Sequence, residues 1–445
     1  MRFAGGHRGA LGLWPATALV VGHTIGVGIF LTPVELIGAL ASPALTLGLW
    51  LLCGALVLAG AVSFGELASR FPQAGGVYVY LREAWGERIA FLYGWQCLLV
   101  MDPGITAALA AGASQYAALL FPGVAGFERW IAAGMIWLTA LVAMSGLRLS
   151  SRVLGFLTAA KLLALAVVVL LAFTVGDGSW SHFSVPAERP PGAPPLSEAL
   201  ALGLVGVFFS FGGFWEAARV TDEVRDPGRT LPRALGLGVA IVTAACVATT
   251  VAFLYLVPVA GASDAAAFAR NAGEALLGAR GPASFSAVVV VSVVGSMLAL
   301  LIMAPRLYVA MARDRAFPPA LARVHPRTGT PVRATAILAA FATLLVLAGS
   351  FRQIVAFFLC TTLLFVALAA GGLFVVRRRD SAAPVFRTPG YPATPALFII
   401  LLFAVVALVG LNRPIPALAG LALVLLGVPA YRRLVRPPAR PSRVE

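Results

Sequence analysis

Long apolar windows separated by Pro, Gly or Arg recur along the chain and predict twelve membrane spans, at 12–40, 44–68, 89–120, 130–147, 153–175, 197–219, 233–257, 284–311, 334–349, 354–376, 394–411 and 415–431. A spanning helix needs about 20 predominantly apolar residues, so twelve of them use roughly 240 positions and leave about 200 for turns, re-entrant pieces and tails. Two windows are interrupted by glycine. Span 1 carries Gly22-His23-Thr24-Ile25-Gly26-Val27-Gly28-Ile29-Phe30, and span 6 carries Phe208-Phe209-Ser210-Phe211-Gly212-Gly213-Phe214-Trp215. Gly26 and Gly212 are 186 positions apart, close to the spacing of the two spans themselves. Small residues also serve close helix packing. Matched interruptions in two halves of a chain point further, to an inverted-repeat transporter whose site lies at the bilayer midplane.

Composition supports the membrane reading. The 445 residues are 60% apolar and 11% charged, against about 45–50% and about 25% in soluble domains. A formal charge of +15 raises the question of nucleic acid, but the basic residues come in small groups between apolar runs and read as topology signals. Of 32 arginines, 26 fall on one set of alternate loops and 6 on the other, which predicts both termini in the cytoplasm. The arrangement predicts a single transmembrane domain over 1–431, with a basic tail at 432–445. Cys53, Cys97, Cys246 and Cys360 lie inside apolar runs without metal-ligand spacing and read as packing residues. The first apolar run reads as a retained span rather than a cleaved signal. Arg over Lys, with much Ala, Gly and Pro, is what a GC-rich bacterial genome produces, which points to a bacterial inner membrane. The chain has no nucleophile elbow, phosphate-binding loop, zinc-protease motif or ATP-binding domain, so no enzyme and no cofactor is expected and transport is secondary.

Further blocks extend the glycine motif. Ile25-Gly26-Val27-Gly28-Ile29-Phe30 is joined by Ser63-Phe64-Gly65-Glu66-Leu67 leading to Gly75-Gly76-Val77-Tyr78, by Phe91-Leu92-Tyr93-Gly94-Trp95, by Asp222-Glu223-Val224-Arg225-Asp226-Pro227, and by Ala304-Pro305-Arg306-Leu307-Tyr308. Together they resemble the amino acid/polyamine/organocation superfamily of permeases. The match is closest to L-type-like bacterial amino acid transporters, whose fifth helix resembles Ala159-Ala160-Lys161-Leu162-Leu163. The resemblance implies an all-α polytopic fold, a LeuT-like five-plus-five inverted repeat with helices 1 and 6 broken. The first repeat then covers 12–175, the second 197–376, and helices 11 and 12 cover 394–431. After the second glycine pair the chain has Phe214-Trp215-Glu216, where L-type relatives commonly have a Trp-Asn pair.

An α-amino acid brings a carboxylate and an ammonium into low dielectric, and leaving either unpaired costs several kcal/mol. A break in helix 1 frees N–H groups around Thr24, Ile25, Gly26, Val27 and Gly28 for the carboxylate. A break in helix 6 frees carbonyls of Phe209, Ser210 and Phe211 for the ammonium, with Gly212 and Gly213 making the turn. Phe209 is expected as an aromatic gate by resemblance, or else as a core phenylalanine. Asp102, at mid-span beside Pro103, serves substrate or proton coupling, caps the proline kink, or pairs with Lys161. His23 packs or couples protons, Glu35 lies at the outer mouth, and Glu66 and Glu216 form an inner-gate ion pair with an arginine such as Arg219 or are solvated.

Lys161 is the only lysine and lies in an apolar run about eight residues into its span, ~12 Å deep. By resemblance it occupies the place where sodium-coupled relatives of the fold hold a cation. Its three donors are expected on carbonyls near Gly22 and His23 and on Ser292 or Ser296, making the protein sodium-independent. The expected function is secondary amino acid transport by alternating access, with a proton or a counter-substrate as the coupled species. The rivals are a polyamine or amino-acid/amine exchanger and, from another class, a non-transporting sensor or membrane-embedded enzyme.

Overall fold

Every predicted window falls on helix in the computed structural model, which describes residues 11–434 apart from 27, 74, 122, 124–125, 185–188, 190–194, 259–264, 315 and 380–383. Helices α1 (Leu13–Thr24) and α2 (Gly28–Leu40) share the first window and bend by 49° at the glycine break. There follow α3 (Pro43–Arg70), α4 (Val77–Trp85), α5 (Glu87–Gln96), α6 (Asp102–Leu120), α7 (Glu128–Met144) and α8 (Leu147–Thr174). Next come α9 (Leu196–Phe211), α10 (Pro227–Leu256), α11 (Ala265–Leu277), α12 (Gly281–Arg313) and α13 (Val332–Ala348). The chain closes with α14 (Phe351–Arg379), α15 (Ala393–Asn412), α16 (Pro414–Leu425) and α17 (Gly427–Leu434). No strand occurs among the described residues, only the isolated bridge between Leu11 and Val224. By length and apolar composition nine helical stretches among the described residues can cross a membrane, or ten with the bent pair α1–α2; α13 is apolar but shorter.

Two local features shape the site. Between α5 and α6 the chain makes a π-helical turn, Cys97–Met101, immediately before Pro103. Proline lacks the N–H that would continue the α-helical ladder, and the wider turn absorbs that loss. After α9, Gly212 and Gly213 lead into a 3₁₀ segment, Phe214–Glu223. The elements the hydrophobic pattern missed are α4 and α11, each too short to span.

Burial sorts the helices. The stretch through α5 and α6 has 83% of its apolar window buried, α14 78% and α11–α12 67%, against 22% for α8 and for α16–α17, which turn most of their surface outward to lipid. Close approach depends on small residues: a Cβ on Gly54 would meet Thr243 at 2.5 Å, and one on Gly65 would stand 2.9 Å from the Pro232 backbone.

Glu66, fully buried on α3, ties three elements together. Its Oε1 accepts from Arg70 Nε at 3.0 Å and Arg377 Nε at 2.9 Å, and its Oε2 from Arg377 Nη2 at 2.5 Å and the Thr388 N–H at 2.8 Å. The Arg377 guanidinium lies 3.8 Å over the Tyr391 ring. Glu66 therefore pairs with Arg70 and Arg377 rather than with Arg219. Removing one side of a buried ion pair strands the other charges at a cost of about 3–5 kcal/mol. Glu66→Ala is accordingly expected to lower the unfolding midpoint in detergent markedly, and Glu66→Gln less so; an unchanged midpoint in both would mean that the cluster carries no stability.

Candidate functional site

The two glycine breaks meet. Ile25 leaves α1 with extended backbone, and α2 restarts at Gly28. Opposite, the Gly212 N–H closes on Phe209 O at 3.0 Å, and Gly213 takes φ +102°, a left-handed conformation that a side chain disfavours. A Cβ on Gly28 would stand 2.9 Å from the Ser210 Cα, and one on Gly213 3.4 Å from His23 O. Glycine is thus required where backbone packs on backbone. The Thr32 and Ser210 hydroxyls, 2.9 Å apart, pin α2 to α9 just beyond the contact.

Between the breaks lies a cavity of about 80 Å³. His23, Thr24, Gly26 and Gly28 line it from the first break, Phe209, Ser210, Gly212 and Gly213 from the second. Of the residues expected there, three are placed elsewhere. Ile25 turns its side chain into the core. Phe211 packs edge-on against Trp50, with ring centroids 5.9 Å apart. Asp102 is fully buried but not among the lining residues, and Val27 lies outside the described residues. Sequence reasoning missed the walls supplied by Ile105 and Leu109 of α6, Leu300 of α12 and Phe358 and Thr362 of α14, as well as Trp215. The apolar members look like any span residue; Trp215 follows the glycine pair directly, a signal that was there to be used.

Lys161 rises from α8 to the edge of the first break, 2% exposed. Its Nζ donates to Gly22 O at 2.6 Å, Ile25 O at 2.9 Å and Ser296 Oγ at 3.0 Å, which uses all three donors. The carbonyls are those of Gly22 and Ile25, with Ile25 in place of His23. Of the two serines, Ser296 is the partner; Ser292, one turn earlier, is buried with its hydroxyl unbonded.

Beneath the cavity, Asp102 accepts a hydrogen bond from the Tyr308 hydroxyl on Oδ2 and has Arg219 Nη2 4.0 Å from Oδ1. It makes no contact with Lys161, so that pairing is excluded, and its side chain does not cap α6. Arg219, counted with the loop arginines in the sequence, is in fact buried, with Nε 2.5 Å from Glu216 Oε2.

On the far side of Phe209 a second cavity, of about 250 Å³, is bordered by Glu35, Arg352, Asn412 and Arg413. Glu35 and Arg352, both well exposed, approach to 3.6 Å. Phe209 belongs to both cavities, its ring 5.9 Å from that of Phe351 and 6.2 Å from that of Phe358.

Buried helix breaks facing one another across a small cavity, inside a bundle of apolar helices, define a multi-pass membrane transporter. The chain belongs to the amino acid permease family, whose sequence model matches residues 11–426. It is an amino acid transporter, not an enzyme, as the members of that family are. It is 29% identical over 427 residues to the cystine/glutamate transporter of Homo sapiens, covering 93% of this chain and 83% of the relative. The b(0,+)-type amino acid transporter 1 of Oryctolagus cuniculus is 30% identical over 386 residues, 84% of this chain and 78% of its own. The serine/threonine exchanger SteT of Bacillus subtilis is 26% identical over 428 residues, 95% of each chain.

Proposed function

We propose that the cavity between the two breaks is the substrate site of a sodium-independent, secondary active amino acid transporter working by alternating access. The observation that carries this reading is the convergence of both breaks on one small cavity, with Lys161 holding the first break and Ser296 at its edge. The N-terminus of α2 offers unpaired N–H groups and its dipole to the α-carboxylate. The last carbonyls of α9, from Phe209 to Phe211, face the ammonium. Lys161 supplies the fixed positive charge that a sodium ion would otherwise bring.

The wider architecture follows from the same reading. Counting the bent pair once, and α7 and α13 as spans, gives twelve; helices 1–5 and 6–10 form the two inverted repeats within one permease domain, followed by helices 11 and 12. The arginine distribution puts both termini in the cytoplasm, and the coupled species is a proton or a counter-substrate. The polyamine reading is the weaker, because Asp102 is already occupied by Tyr308 and Arg219 and does not line the cavity.

The test is counterflow in proteoliposomes preloaded with unlabelled amino acids, run in sodium and in choline buffers. Saturable uptake of a labelled α-amino acid, equal in both buffers and resistant to putrescine and cadaverine, is expected. Uptake of the diamines in preference to amino acids would favour the polyamine rival.

A further inference from the structure

Below the cavity stands a group of charges that binding an amino acid does not require. Asp102 on α6 and Glu216 on the 3₁₀ segment flank a single guanidinium, that of Arg219, and Tyr308 of α12 donates to the second oxygen of Asp102. Asp102 is 0% exposed, Glu216 8%, and the Arg219 side chain 8%. Asp102 Oδ1 and Glu216 Oε1 accept no hydrogen bond and are sealed from water. Facing the cluster from the neighbouring elements are Tyr93 of α5 and Cys97 of the π turn, with Arg219 Nη2 3.9 Å from Cys97 Sγ. Across the cavity wall, His23 also faces Arg219. Lys161 is committed to Gly22, Ile25 and Ser296 and contributes no ion pair here. The cluster therefore holds two carboxyl groups against one fixed cation.

We propose that this cluster binds one exchangeable proton, and that the proton and the ammonium of the amino acid compete, so that the carrier exchanges one for the other. The proposal rests on the reading of the cavity as the substrate site. A buried excess charge is costly. A proton relieves it without needing room, and the two unbonded carboxyl oxygens have no room for any larger ligand. Glu216 lines the cavity, so an ammonium arriving there acts on its charge through space, while Asp102 shares the effect through Arg219, which lies between the two carboxyl groups. A cation in the cavity offsets the same negative charge that the proton neutralises, so each weakens the other's binding, and the weakening is reciprocal. In the step itself one carboxyl O–H bond breaks, the electron pair stays on the carboxylate, and the proton leaves to water through whichever side of the cavity is open. Two carboxyl groups set against one guanidinium leave one negative charge in excess, so the stoichiometry is about one proton per site.

Two readouts test this on the full-length protein. In detergent with little buffer and a pH indicator, each proteinogenic L-amino acid except histidine is added in turn, binding being followed in parallel by thermal shift. Amino acids that bind are expected to release about one proton per site. In liposomes holding a trapped pH-sensitive dye, entry of the amino acid is expected to make the lumen more alkaline. Asp102→Asn, which fixes the cluster in its neutral state, should release almost no proton and bind with a weaker affinity that no longer changes with pH. Tyr308→Phe, which keeps both carboxyl groups, should still release it and so serves as a control for folding. Binding without release, acidification of the lumen, or full release by Asp102→Asn overturns the proposal. Failure of every amino acid to bind overturns the substrate reading instead, and this one with it.

Discussion

Lys161→Ala is expected to take amino acid uptake to background while the protein still inserts and accumulates. Among the described residues the ammonium is the one side-chain donor from α8 to the first break, and it donates to Gly22 O, Ile25 O and Ser296 Oγ together. Its loss takes the side-chain donor from Gly22 O, at about 1–3 kcal/mol, leaves Ile25 O with Ser296 Oγ at 3.0 Å alone, and removes the charge that holds the broken end of α1 against α12. A distortion of about 3 kcal/mol in the binding-competent geometry already slows turnover by about a hundredfold. Lys161→Arg should fail as well, because a planar fork does not reproduce a compact point charge with three radiating donors. Uptake in proteoliposomes, normalised to protein recovered as a monodisperse peak, measures the effect. Full activity in Lys161→Ala, or sodium stimulation of the unmodified protein, would reject the role given to this residue.

An equally large effect is expected from changing the substrate. Amidating or esterifying the α-carboxylate removes the anion that the N-terminus of α2 is arranged to receive. Hydrogen bonds to a charged group are worth about 1.5–3 kcal/mol each, so losing two weakens binding by at least about a hundredfold. Competition by the amide or methyl ester against labelled amino acid uptake measures this. On the protein side, Gly26→Val and Gly212→Val should fold and fail to bind. A Cβ at Gly26 would reach Leu109 Cδ2 at 3.4 Å and bring its methyls into the cavity, and one at Gly212 would press on Phe209 O at 3.0 Å. Gly28 is the poorer test, since a side chain there drives α2 off α9 and confuses binding with folding. Normal uptake by either valine variant would count against the assignment of the site.

Much of this was legible in the sequence because glycine and lysine are conspicuous in apolar runs. The two breaks, their pairing, and a lysine reaching Gly22 and a serine of α12 could all be read from spacing and resemblance. Other details depended on distances that a one-dimensional pattern does not carry. Ser292 and Ser296 lie one turn apart on the same helix, and only the depth of Lys161 selects the second. Asp102 could be recognised as costly, but its partners come from 117 residues away, at Arg219, and from 206 away, at Tyr308. Arg219 could be read as a partner for Glu216, a pair present at 2.5 Å, and also as a topology signal, because the 3₁₀ continuation that buries it leaves no mark in the apolar pattern. The apolar walls from α6, α12 and α14 left no mark at all, since leucine, isoleucine and phenylalanine there are indistinguishable from lipid-facing neighbours.

Among the described residues, Phe209 alone borders both the small cavity and the larger one beyond it. A ring shared by two cavities sets a limit on time. Side-chain rotation takes picoseconds to nanoseconds where there is space to turn, whereas collective helix motions take microseconds to milliseconds. A ring free to rotate opens and shuts many times within one rearrangement of the bundle. Leak-tightness therefore rests on the packing of Phe351 and Phe358 that slows the ring, and the pace of the cycle on the helices, so trimming Phe351 would loosen coupling before it altered turnover.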